Sequence, residues 1–236
     1  MTNLSPADSS NRTIYRIGGT VCIILIAYSL ATILLLLIIG SPPANVEDCF
    51  KMLHDNRVTG LLRLDILTIF ILPLYFPLFL SLYIALKKTD NGLVTLGTII
   101  VFSGLTLVLA TPSVFSFLDI SDKFAKATSD IQKNNLIAAG ESILASDMWH
   151  GSGARIGGLL LQTGALIISI VMLRTNVFNK LTAITGIVTH GLDLMHIIAG
   201  FFLPSLAAIF MAIAGILYLI WFPQIGLRLF KLKSVK

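Results

Sequence analysis

LTAITGIVTHGLDLMHIIAGFF, Leu181–Phe202, has the length and greasiness of a membrane-crossing helix, yet holds His190, Asp193 and His196 near its centre. About 20 apolar residues are enough to cross a bilayer. An ionisable group at that depth costs about 2.5–3.5 kcal/mol on insertion scales, so it is kept where it faces other helices, a partner or water. At about 100° per residue, Thr182, Thr185, Thr189, His190, Asp193 and His196 share an arc of roughly 140°. Ile184, Ile187, Val188, Leu194, Met195 and Ile198 cover the opposite side. The polar arc therefore turns inward and the greasy face meets lipid.

Five more apolar runs flank this one, at about 17–40, 61–86, 93–111, 156–173 and 205–222. The chain of 236 residues is 56% hydrophobic and 12% charged, with a mean hydropathy of +0.89. A soluble domain carries roughly twice that share of charge. The reading is an all-α polytopic fold: one membrane domain over residues 1–236, a bundle of six transmembrane helices. The first run follows Arg12 and Arg16 as a signal peptide would, but its apolar core is longer and no clear cleavage site follows, so it reads as a retained helix.

The charges alternate with the spans. Asp8, Arg12, Arg16, Lys87, Lys88, Asp90, Arg174, Lys180, Arg228, Lys231, Lys233 and Lys236 fall on one side, ten bases against two acids. Segments 41–60 and 112–155 fall on the other, with six bases against eight acids. Basic excess marks the cytoplasmic side. The expectation is a plasma-membrane protein with both termini in the cytoplasm. The net charge of +5 follows this pattern and gives no nucleic-acid signal. The terminal basic groups read as a lipid-headgroup contact.

Segment 112–155 reads as one or two amphipathic helices on the outer face, with Ser121 or Asp122 as a cap and breaks at Asn134–Asn135 and Gly140. Residues 45–58 read as a shorter amphipathic piece on the same side. Pro73 and Pro77 should kink the second span, and Pro223 should end the membrane portion. Ala207, Ala208, Ala212, Ala214 and Gly215 should let the last span pack closely. Trp149 and Trp221 are placed for opposite interfaces. Cys22 and Cys49 are separated by roughly 35–40 Å of helix, too far for a disulfide.

His190, Asp193 and His196 support three functions. In the first, they bind or conduct a small polar ligand, proton or cation in an outward-facing pocket, with Arg63 and Asp65 of the second span as partners. In the second, the chain is a metal-dependent intramembrane hydrolase. Zinc suits these donors, with His150, Glu141 or Asp65 completing the set, because spacing of i, i+3 and i+6 fans three side chains over about 120°. In the third, the arc packs helices in a structural or partner-binding subunit, and an oligomer is compatible with this. The non-catalytic ligand or ion reading is preferred, and no resident cofactor is required by it. No G-x-S-x-G elbow occurs, and one intramembrane helix holding both histidines disfavours a bis-histidine haem.

YRIGG (Tyr15–Gly19), GLLRLDILTIFILPLYFPLFLSLYIALKK, IQKNNLIAAGESIL, LRTNVFNKLTAITGIVTHGLDL and LYLIWFPQIGLRLFKL together span nearly the whole chain. In this pattern the chain resembles a family of prokaryotic integral membrane proteins known as domain of unknown function 4386 (DUF4386). The resemblance implies a compact helical membrane domain with a structured segment before the later spans. It brings no activity, cofactor or catalytic residue.

Overall fold

Long apolar runs give helices, and the second expected run, 61–86, is divided at Asp65 and again at a 3₁₀ turn. The structure, a computed structural model, describes residues 11–41, 43, 45–147 and 149–233. Asp8 and Lys236 of the charge pattern lie outside these. The helices are α1 (Arg12–Ile39), α2 (Val46–Asp55), α3 (Arg57–Arg63), α4 (Ile66–Ile71), α5 (Tyr75–Leu86), α6 (Asn91–Leu109), α7 (Val114–Lys126), α8 (Asp130–Ser146), α9 (Ser152–Met172), α10 (Lys180–Ala199) and α11 (Pro204–Lys233). Six stretches, beginning at Arg12, Ile66, Asn91, Ser152, Lys180 and Pro204, are long and apolar enough to cross a membrane. The protein is an all-α polytopic membrane protein.

The chain forms two compact units. The second comprises Leu30–Leu72 and Thr106–Ile156. Its core comes from α2, whose Val46, Cys49, Phe50 and Leu53 are buried at the spacing of one helix face. Asn45 caps that helix, accepting from the Asp48 amide at 2.8 Å. Phe50 meets Phe117 and Phe124 of α7, with ring centroids 4.9 and 5.1 Å apart. Each such side chain contributes about 1.5–3 kcal/mol by leaving water. The caps of α7 and α8 differ from those expected. Ser113 starts α7 and Ser129 starts α8, while Ser121 and Asp122 lie inside α7. Asn134, Asn135 and Gly140 lie within the continuous α8. Gly140 is a packing point: a β-carbon there would lie 2.6 Å from Val46 Cγ1.

The first unit comprises Met1–Ser29, Pro73–Leu105 and Gly157–Lys236. Two of its helices approach each other through glycine. A β-carbon on Gly104 of α6 would collide with the Gly157 carbonyl of α9 and lie 2.5 Å from the Leu161 nitrogen. Two turns away, Gly164 is pressed against the Gly97 carbonyl in the same manner. Small residues at such crossings let two backbones touch where lipid offers no hydrophobic drive for association. The alanine stripe of α11 plays this part only partly. Ala207 and Ala214 are buried, while Ala208, Ala212 and Gly215 are exposed.

Proline acts twice. Before α5, the chain between Ile71 and Tyr75 passes through a 3₁₀ turn, Leu72–Leu74, where Pro73 removes an amide donor. Pro223, by contrast, sits inside α11, which continues to Lys233. Among the described residues, Cys22 and Cys49 are both buried free thiols.

Candidate functional site

α10 starts cleanly because Asn179 caps it, its Oδ1 accepting from the Thr182 amide at 2.7 Å. From there the two faces separate as their chemistry demands. Thr182, Thr185, Thr189 and His190 are buried, whereas Ile184, Val188, Met195 and Ile198 are 44–51% exposed. Thr189 spends its hydroxyl on the Thr185 carbonyl, at 2.7 Å, so it needs no external partner.

The ionisable residues of this face meet side chains from α9 and α11. His190 is fully buried, its Nδ1 2.7 Å from Gln162 Oε1 on α9. Tyr218 of α11 donates its hydroxyl to Asp193 Oδ2 at 2.6 Å. That length is at the short end of the range of about 2.5–3.0 Å for a hydroxyl donating to an oxygen. The same hydroxyl lies 3.3 Å from Gln162 Oε1 and 3.4 Å from His190 Nδ1. With the Tyr218 proton given to Asp193, the network is satisfied when His190 carries its proton on Nδ1 and donates to the Gln162 carbonyl. His190 Nε2 is then a buried lone pair with no hydrogen-bond partner.

Trp221 closes the back of the imidazole. The two rings stand at 90° with centroids 4.8 Å apart, and Tyr218 stacks on Phe222 at 5.1 Å. Trp221 is fully buried within the bundle, whereas Trp149 is half exposed. Gly186 makes room for it: a β-carbon there would sit 2.5 Å from Ser169 Oγ and 2.6 Å from Trp221 Nε1. His196 stands apart, its Nδ1 3.0 Å from the Ala207 carbonyl. A carbonyl can only accept, so Nδ1 carries a proton.

The other residues singled out from the sequence belong to the second unit. Arg63 donates through Nε, at 2.9 Å, and through Nη2 to the Ser41 carbonyl. Asp65 adopts a left-handed backbone, with φ 58°, between α3 and α4, and accepts from the Thr68 hydroxyl at 2.6 Å. Asp147 accepts from the Trp149 and His150 amides at 2.8 Å each and lies 3.0 Å from His150 Nδ1. Glu141 is exposed on α8. Among the described residues, no group of three or more His, Cys, Asp or Glu side chains is arranged to hold a metal ion.

Gln162 and Tyr218 are the site residues that the sequence reading missed. Gln162 had a signal, an amide inside the apolar run of α9. Tyr218 had less, because tyrosine near a span end ordinarily reads as an interfacial anchor.

The site is thus a buried polar network in a membrane protein: one carboxylate, one neutral imidazole, one phenol and one amide. No family model, curated protein or solved structure matches this chain.

Proposed function

We propose that the chain binds and passes a proton, or a small cation, along the polar face of α10, with Asp193 as the charge and His190 as its protonatable neighbour. The observation that carries this reading is the setting of Asp193. It sits on a membrane-depth helix, takes one strong hydrogen bond from Tyr218, and makes no ion pair among the described residues. A carboxylate so placed gains more from a proton or cation than from its fixed neighbours. His190 Nε2 supplies a second vacant acceptor on the same face. The Tyr218 hydroxyl, 2.6 Å from Asp193 Oδ2 and 3.4 Å from His190 Nδ1, keeps the two side chains in one network. In this proposal the basic loops lie in the cytoplasm of a cell whose plasma membrane houses the protein, and the His196 end of the face opens outward.

The test is proton movement in proteoliposomes loaded with a pH-sensitive dye, wild type beside Asp193→Asn. Under an imposed gradient, wild type should collapse the internal pH difference and Asp193→Asn should not. Equal rates, or no rate above empty vesicles for wild type, would refute the proposal.

One set of contacts favours a purely structural role. Tyr218–Asp193 and His196–Ala207 both pin α10 to α11. If that is their whole purpose, Asp193→Asn lowers thermal stability while wild type shows no proton movement.

A further inference from the structure

The basic end of the first unit holds a cavity that the proton reading does not use. Its volume is about 680 Å³, and it lies between the α9–α10 loop and the last turns of α11. That is within the usual range of about 300–1,000 Å³ for small-molecule sites. Arg174, Lys180, Arg228 and Lys231 line it, and no acidic residue does.

These cations are set in place differently. Arg228 donates to the Val177 carbonyl and, at 3.3 Å, to the Asn176 carbonyl, which fixes the loop without neutralising the guanidinium. Arg174 shares its charge with Asp90 at 3.2 Å. No ion pair involves Lys180 or Lys231 among the described residues. The positive end of the α10 dipole opens here too, with no acid in its first turn. Gln224 lines the same cavity, and its Oε1 is buried without a hydrogen-bond partner.

Depth completes the argument. α11 runs for 30 residues. At 1.5 Å per residue that is roughly 45 Å, against a hydrocarbon core of about 30 Å. Its basic end therefore reaches the headgroup layer, where phosphate is the commonest anion. Basic pockets between transmembrane helices are suited to such groups.

We propose that this cavity binds an anionic phosphate group, with Lys180, Lys231 and Arg228 as its charged contacts and Gln224 accepting from a hydroxyl beside it. Such a phosphate comes from an anionic phospholipid headgroup or from free phosphate in solution. The experiment uses protein purified in an uncharged detergent, wild type beside Lys180→Gln/Lys231→Gln. Both side chains are exposed and neither is in an ion pair among the described residues, and an unchanged melting temperature without ligand confirms that the double variant is folded. Native mass spectrometry reads retained phosphatidylglycerol against phosphatidylcholine, and thermal shift reads inorganic phosphate. For a lipid source, wild type keeps phosphatidylglycerol over phosphatidylcholine, and the double variant binds it at least about tenfold more weakly, as expected from losing two interfacial cations. For a soluble source, inorganic phosphate alone raises the melting temperature of wild type and not of the double variant. Binding that is equal for both lipids, unchanged in the double variant, or absent with every probe overturns the proposal.

Discussion

Gly104→Ala adds one methyl group where two helices already touch. Its β-carbon would collide with the Gly157 carbonyl and stand 2.5 Å from the Leu161 nitrogen. An optimal contact between heavy atoms is near 3.5 Å, so α6 and α9 must part by about 1 Å or bend. Neither obstacle is a flexible side chain; both are backbone. Overpacking of this kind costs about 1–3 kcal/mol. Against it stands the gain from replacing glycine in a helix, at most about 1 kcal/mol. With that gain taken in full, the net expectation is a loss of up to about 2 kcal/mol. Gly215→Ala is the control. It is the same chemical change in the middle of α11, with nothing within 4 Å of the new carbon. It should be neutral or stabilise by up to about 1 kcal/mol. Reversible unfolding in mixed micelles titrated with dodecyl sulfate measures both. The gap between the two variants isolates the clash, about 1–3 kcal/mol. Equal stabilities would show that α6 and α9 do not meet at Gly104.

Further outcomes follow from other contacts. Tyr218→Phe removes the hydroxyl donor to Asp193 and keeps the ring stack on Phe222. Thermal unfolding should show a loss of about 1.5–3 kcal/mol, the range for hydrogen bonds to a charged group. Cys49 lies outside the membrane spans, and burial pushes its thiol up from 9.0 to about 11. The folded state therefore holds that proton to higher pH than the unfolded chain does. This contribution is complete below pH 9 and is lost as pH rises through about 11, so melting curves at pH 8 and pH 10.5 should differ in that direction, and less so in Cys49→Ala. The Arg57–Asp122 pair is about half exposed on both sides, so Asp122→Ala should change stability by less than about 1 kcal/mol.

Much of this architecture was legible in the sequence because a bilayer imposes a simple demand, about 20 apolar residues per crossing. The inward polar face of α10 was legible for the same reason: its threonines and histidine recur with the helical period. Even the gathering of basic regions has a counterpart in the fold. Arg174 reaches Asp90, and Arg174, Lys180, Arg228 and Lys231 line one cavity. What the sequence withheld depends on which helices adjoin. Nothing local tells that Gln162 stands opposite His190, or that Tyr218 turns inward to Asp193 and not toward an interface. The glycines show the same gap. Gly140 resembles a helix breaker but is the point where Val46 and Phe50 pack on α8. Gly97, Gly104, Gly157 and Gly164 read as ordinary span residues until the helices that they face are known. Pro223 resembles a stop, yet α11 runs on for ten residues, to Lys233.

The proton proposal depends on Asp193 being an ionised carboxylate that takes up and releases a proton in the folded protein. Infrared difference spectroscopy of purified protein across a pH titration reads this directly, through the carbonyl stretch of a protonated carboxylic acid. The account predicts a reversible band that grows as pH falls, is missing in Asp193→Asn and is altered in Tyr218→Phe. A spectrum in which Asp193→Asn removes no titrating carboxyl band would contradict it and leave Asp193 as a fixed tie between α10 and α11.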